Sequence, residues 1–76
     1  MFEINKIYRN KNCLDIVFQV QTLKTERSEH SDSPTYVMYG RWLNKHYDLM
    51  FICDETIKIP TDKLKDWTLY KDKIDG

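Results

Sequence analysis

Hydrophobic positions in this chain recur with period two more often than with the spacing of a helix. In Cys13 to Thr25, C-L-D-I-V-F-Q-V-Q-T-L-K-T, the residues Leu14, Ile16, Phe18 and Val20 fall on one parity. Asp15, Val17, Gln19 and Gln21 fall on the other, which predicts a half-buried strand. Ahead of it, Phe2, Ile4 and Ile7 predict a short strand, ended by the polar turn R-N-K-N-C. Glu26 to Pro34 is polar and closed by proline, and reads as a loop. Strands are then expected over Thr35 to Leu43 and Tyr47 to Cys53, with a turn at Asp54 to Thr56 and a short strand at Ile57 to Ile59. Pro60-Thr61-Asp62 suits the opening of a helical turn, with Thr61 as its cap. For the C-terminal segment two readings compete. Leu64, Trp67, Tyr70 or Lys71, and Ile74 fit helical spacing. The strand-forming run W-T-L-Y favours the preferred alternative, one helical turn in K-L-K-D followed by a strand.

The stretch T-Y-V-M-Y-G-R-W-L-N-K-H, Thr35 to His46, is large and apolar or amphipathic on both parities, so its register decides what is core. A two-residue turn at Asn44-Lys45 sets Trp42 against Tyr47, Met38 against Phe51 and Tyr36 against Cys53. It also pairs Arg41 with Asp48, Tyr39 with Met50 and Val37 with Ile52, and the charge pair argues for it. The expected core is then Tyr36, Met38, Trp42, Tyr47, Leu49 and Phe51. Val37, Tyr39, Arg41, Met50 and Ile52 form a second face. Either the N-terminal strand or the segment with Leu64 and Trp67 covers that face, or a partner does. Gly40 marks a bulge or bend.

Length sharpens the question. A 76-residue chain is one domain, residues 1–76, and hides only about 60% of its unfolded surface. The absence of alanine strengthens the lean toward strands. The Ile, Lys, Asn and Tyr content suits an AT-rich genome, as in many phages and some bacteria. Twelve basic residues balance 12 acidic ones, so no global field draws the chain to nucleic acid or membrane. No stretch has the roughly 20 apolar residues of a membrane span, and the N-terminus has no signal-peptide pattern. The expected location is cytoplasmic.

Candidate chemistry is sparse. Cys13 and Cys53 lack C-x-x-C or zinc spacing and are expected to be reduced, buried thiols, a disulfide being the alternative. Glu26, Glu29, His30 and Asp32 crowd the polar loop with Ser28, Ser31 and Ser33, and read as solvated rather than catalytic. His46 beside a turn is expected to be exposed. No catalytic, metal-binding or cofactor-binding site is assigned. Lys6, Arg9 and Lys11 near Tyr8 are the one local basic cluster. With Tyr39 and Arg41 they would suit single-stranded nucleic acid, although lysines guarding a sheet edge are the simpler reading.

Two stretches, V-M-Y-G-R-W and I-K-I-P-T-D-K-L-K-D-W, resemble the central aromatic strand and the proline turn of SH3-like small barrels found in bacteria and phages. The resemblance implies a mainly β fold, an SH3-like barrel or strongly curled antiparallel sheet of five or six strands with one short helical turn. The acidic loop and paired tyrosines of the proline-peptide groove are missing, so that function does not transfer. The expectation is a non-enzymatic protein-binding module, a phage or bacterial accessory protein docking on another protein or on itself through Val37, Tyr39, Arg41, Met50 and Ile52. Nucleic-acid binding through Lys6, Arg9, Lys11, Tyr39 and Arg41 is the alternative.

Overall fold

The computed structural model describes residues 2–27 and 33–72. Five antiparallel strands form one sheet: β1 (Ile7–Asn10), β2 (Ile16–Glu26), β3 (Thr35–Asn44), β4 (Met50–Pro60) and β5 (Trp67–Lys71). Their order is β4-β3-β2-β1-β5, so β4 and β5 are the two edges. A 3-10 helix, Thr61–Asp66, joins them. The C-terminal segment is thus a helical turn followed by a strand, as its β-formers require.

The sheet curls. In a flat sheet β3 and β5 would lie three strand spacings apart, about 14 Å. The rings of Trp42 on β3 and Trp67 on β5 are instead 6.3 Å apart. The concave face so formed holds the main core: Phe2, Tyr8, Phe18, Val20, Met38 and Ile59, with Leu23, Tyr36, Trp42, Ile57, Leu64 and Trp67 packed against it. Phe18 and Met38 are wholly buried, and each such side chain stabilises the fold by about 1.5–3 kcal/mol. Phe2, in the N-terminal segment, meets Tyr8, Tyr36 and Trp67 edge-on at 4.8, 5.8 and 6.2 Å.

The opposite parity carries a second, smaller cluster, Ile7, Val17 and Leu43, sealed by Leu49 and Tyr70. The chain therefore covers part of its own second face. Leu64 and Trp67, one expected cover, pack on the concave core instead.

Several local expectations are corrected. Ile4 is exposed in a turn rather than part of a strand. Leu14 precedes β2 and is exposed. Asp54 to Thr56 does not turn: β4 runs unbroken from Met50 to Pro60. Thr61 is not a cap. Pro60 takes that position without a side-chain bond, and the Thr61 hydroxyl donates to the Pro34 carbonyl. Cys53 is exposed and Cys13 half-buried, and both thiols are free.

The β3–β4 register differs most. The connection spans Lys45 to Leu49, not two residues, and Trp42 faces Cys53, Arg41 Asp54, Tyr39 Thr56, Met38 Ile57, Val37 Lys58 and Tyr36 Ile59. Leu43 faces Phe51, so Ile52 is the extra residue of a bulge. Asp48 and Leu49 close the turn with positive φ, 51° and 59°. Leu49 accepts that conformation while packing on the Ile7–Val17–Leu43 cluster. The sheet irregularity expected at Gly40 sits on its neighbour β2, where Gln21 is extra between Val20↔Gly40 and Thr22↔Tyr39.

Candidate functional site

From Met50 to Thr56 every residue of β4 is exposed. The strand pairs with β3 on one side only, because the sheet ends there. Its first three residues are large and apolar: Met50 is 59% exposed, Phe51 52% and Ile52 45%. Tyr47 in the preceding turn is 67% exposed. Edge strands in soluble proteins are normally guarded by charge, proline or brevity. This one is 11 residues long, and the guard that the described residues provide at its apolar end is the bulge at Ile52.

Arg41 borders this apolar end. Its guanidinium lies 5.7 Å from the centre of the Phe51 ring. With the Gln21 amide turned to satisfy both groups, the Gln21 oxygen accepts from Arg41 Nε at 2.8 Å and Nη2 at 2.7 Å. A planar cation is thus held against an exposed aromatic ring, an arrangement worth about 0.5–1 kcal/mol at exposed sites. On the concave side, Trp42 Nε1 donates to Glu55 Oε2 at 2.6 Å. Trp42 also lines a cleft of about 260 Å3 with Trp67, Pro60, Lys63, Asp66 and Asn10 among others. On the convex side a shallow groove of about 430 Å3 runs over Thr22, Lys24, Val37, Tyr39 and Thr56.

Of the residues expected to form one docking face, Tyr39, Met50 and Ile52 are exposed, and Arg41 is half-buried beside Phe51. Val37 is only 6% exposed, flanked in register by Lys24 and Lys58. Tyr39 does not meet Met50 nor Val37 Ile52, since the longer turn and the bulge move β4 along β3. Tyr47 and Phe51, expected in the core, are instead the exposed aromatics of the patch. Parity alone conceals them, because one extra residue at position 52 exchanges the faces of everything before it.

The basic cluster is largely neutralised. Lys6 pairs with Glu3 at 2.5 Å and Asp72 at 3.6 Å, and Lys11 with Asp66 at 2.9 Å. The Lys6 hydrogen bond holds the Glu3 carboxyl below its ordinary value, and Lys11 does the same to Asp66. Arg9 is half-buried on β1, with β2 between it and β3. His46 is exposed, as expected, and its Nε2 lies 2.8 Å from Asp15 Oδ1. Glu26 lies 3.8 Å from Lys24 and 3.6 Å from Lys58. Ser28, Glu29, His30, Ser31 and Asp32 lie outside the described residues. Among the described residues no three His, Cys, Asp or Glu side chains converge as metal ligands, and no helix is long and apolar enough to cross a membrane.

Fold and site together define a small, mainly β protein whose sheet ends in an apolar edge. No protein-family model matches the chain, and neither the curated proteins nor the solved structures contain a match.

Proposed function

We propose that this chain is a non-enzymatic protein-binding module that docks through the apolar end of β4. The observation that carries this reading is the run Met50, Phe51 and Ile52, exposed on an unpaired sheet edge with Tyr47 before it and Arg41 against Phe51. Tyrosine and arginine beside exposed apolar side chains have the composition of binding hot spots, and soluble proteins normally cover or guard a long edge strand. A phage or bacterial accessory role in the cytoplasm accords with the small size, the composition and the free thiols. Kinship with SH3-like barrels belongs to the same proposal, supported by the curled five-stranded sheet and the 3-10 helix before the last strand.

The test is a photo-crosslinking residue placed at Phe51 in the native host, with the same residue at Leu69 on the opposite edge as control. The expected result is a discrete protein adduct from position 51 alone. No adduct, or identical adducts from both edges, removes the proposal.

Nucleic-acid binding stands second, favoured by exposed Tyr39 in a groove that Lys24 lines. The ion pairs of Lys6 and Lys11 count against it. A labelled single strand whose binding falls steeply with salt, through counterion release, would promote that reading.

A further inference from the structure

We infer that two copies of this chain pair along β4, antiparallel and about a two-fold axis at Thr56, so that Asp54 of each copy faces Lys58 of the other. The inference uses the regular part of β4 rather than its apolar end, and does not rest on the docking reading above.

Among the described residues no strand lies on the outer side of β4, so its backbone is open to pairing there. The edge is not uniform along its length. Its N-terminal end is interrupted by the bulge at Ile52, whereas from Cys53 to Pro60 it pairs with β3 without a shift. Pro60 has no amide hydrogen to donate and closes the other end. The regular edge is therefore Cys53 to Ile59, with Thr56 at its centre.

A two-fold pair sets one residue opposite its own copy, and charge selects which one. With the axis at Asp54, Glu55 or Lys58, like charges oppose each other, which destabilises a strand pair. With the axis at Cys53, the bulge residue Ile52 faces Asp54 and Phe51 faces Glu55. An axis at Ile57 puts Asp54 opposite Pro60 and Lys58 opposite Thr56, so no charge meets its opposite. An axis at Ile59 runs the pair into the 3-10 helix. The axis at Thr56 sets Asp54 against Lys58, and symmetry makes that pair twice. It also places the bulge of each copy against Pro60 of the other, so both interruptions fall at the ends of the paired stretch.

The side chains are disposed for this register. Alternation puts Asp54, Thr56 and Lys58 on one face of the strand, and all three are exposed. The Glu55 carboxylate lies on the other face, where it accepts from Trp42 Nε1. Asp54 faces Arg41 on the β3 side, but that guanidinium is engaged by Gln21 and Phe51. Lys58 lies 3.6 Å from Glu26 with 65% of its side chain exposed, which leaves its ammonium free to lean across the edge. Met50, Phe51 and Ile52 fall outside the paired stretch, one run at each of its ends.

The experiment uses the full chain with its thiols kept reduced. Sedimentation equilibrium over a range of concentrations is expected to show monomers and dimers in exchange. Amide hydrogen exchange should show added protection in the dimer at alternate residues between Cys53 and Ile59. Asp54→Lys and Lys58→Asp each set like charges opposite one another twice. Each should weaken self-association by about two- to thirtyfold, the worth of two cross-strand pairs. Mixed together, the two variants should associate with each other, since every residue 54 then meets an opposite charge at 58. The doubly swapped chain, Asp54→Lys with Lys58→Asp, should dimerise alone and carries the test if a single variant fails to fold, as circular dichroism would show. A chain that stays monomeric overturns the inference. So do dimers indifferent to the charge reversals, variants that do not associate when mixed, or protection confined to Met50 to Ile52. A crosslink from position 51 in a monomeric chain would leave the docking reading standing without this one, and a charge-dependent dimer with no such crosslink the reverse.

Discussion

Gly40 shows how a single atom decides this fold. A Cβ there would run into the Gln19 carbonyl and come within 2.9 Å of the Phe18 ring. β2 and β3 approach closely here because Phe18 lies across the glycine and meets Trp42 edge-on at 4.9 Å. Gly40→Ala should therefore destabilise the protein by about 1–3 kcal/mol or more, the range for forcing extra volume into a packed site; a denaturant midpoint that does not move would contradict this packing. Phe18→Ala should cost about 3–5 kcal/mol. For a domain of this size that is comparable to the whole stability, so the variant is expected to unfold largely at room temperature, read by loss of near-ultraviolet circular dichroism. Glycine's presence in a strand was legible in the sequence, and so was the irregularity of the sheet beside it. Which neighbour carries the extra residue was not, because that depends on β2.

Among the elements, the β3–β4 connection governs the candidate site. Asp48 holds a φ of 51°, a conformation that costs an L-residue about 1–2 kcal/mol and glycine little. Since glycine gives back about 0.5–1 kcal/mol of backbone entropy, Asp48→Gly should raise the melting temperature slightly, and Asp48→Val should lower it clearly. The reverse order in a thermal scan would show the turn to be built differently. The N-terminal segment and the 3-10 helix are held partly by charge, which gives a pH dependence. Hydrogen bonds from Lys6 and Lys11 lower the Glu3 and Asp66 carboxyls from 4.5 and 3.8. Their stabilisation is present above those values and is lost as pH falls below them. At the alkaline end, burial raises the Tyr8 phenol above 10.0 and the bond to Glu3 raises the Lys6 ammonium above 10.5. These contributions are present below those values and fade as pH rises beyond them. Melting curves should show both flanks, and Asp66→Asn should shallow only the acid one.

At the scale of the whole molecule, an exposed apolar edge meets a net charge of zero and a pI near 6.7. That combination favours association near neutral pH, where no net repulsion keeps copies apart. Ile52→Lys adds a charge at the bulge of the edge strand, where natural proteins often place one. It should raise solubility near pH 7 while leaving the unfolding free energy within about 0.5 kcal/mol, as exposed substitutions usually do. Ultracentrifugation and a urea melt together check it; a large loss of stability would mean that Ile52 is packed rather than free.

Local pattern was enough for the class of fold, for β2, and for the helical turn before the closing strand. Period-two alternation and β-rich composition are properties of the chain itself, and burial on one side of a strand imposes them. The parity of Tyr36, Met38 and Trp42 could be read in the same way. Three-dimensional packing alone decided that Tyr47 and Phe51 face outward and that Val37 does not. Those assignments hang on a five-residue turn and on the one-residue bulge at Ile52. The turn is held by distant partners: Leu49 packs on Ile7, Val17 and Leu43, and His46 pairs with Asp15. A shift of one residue exchanges the two faces of a strand, so contacts between residues far apart in the chain set where the exposed edge begins.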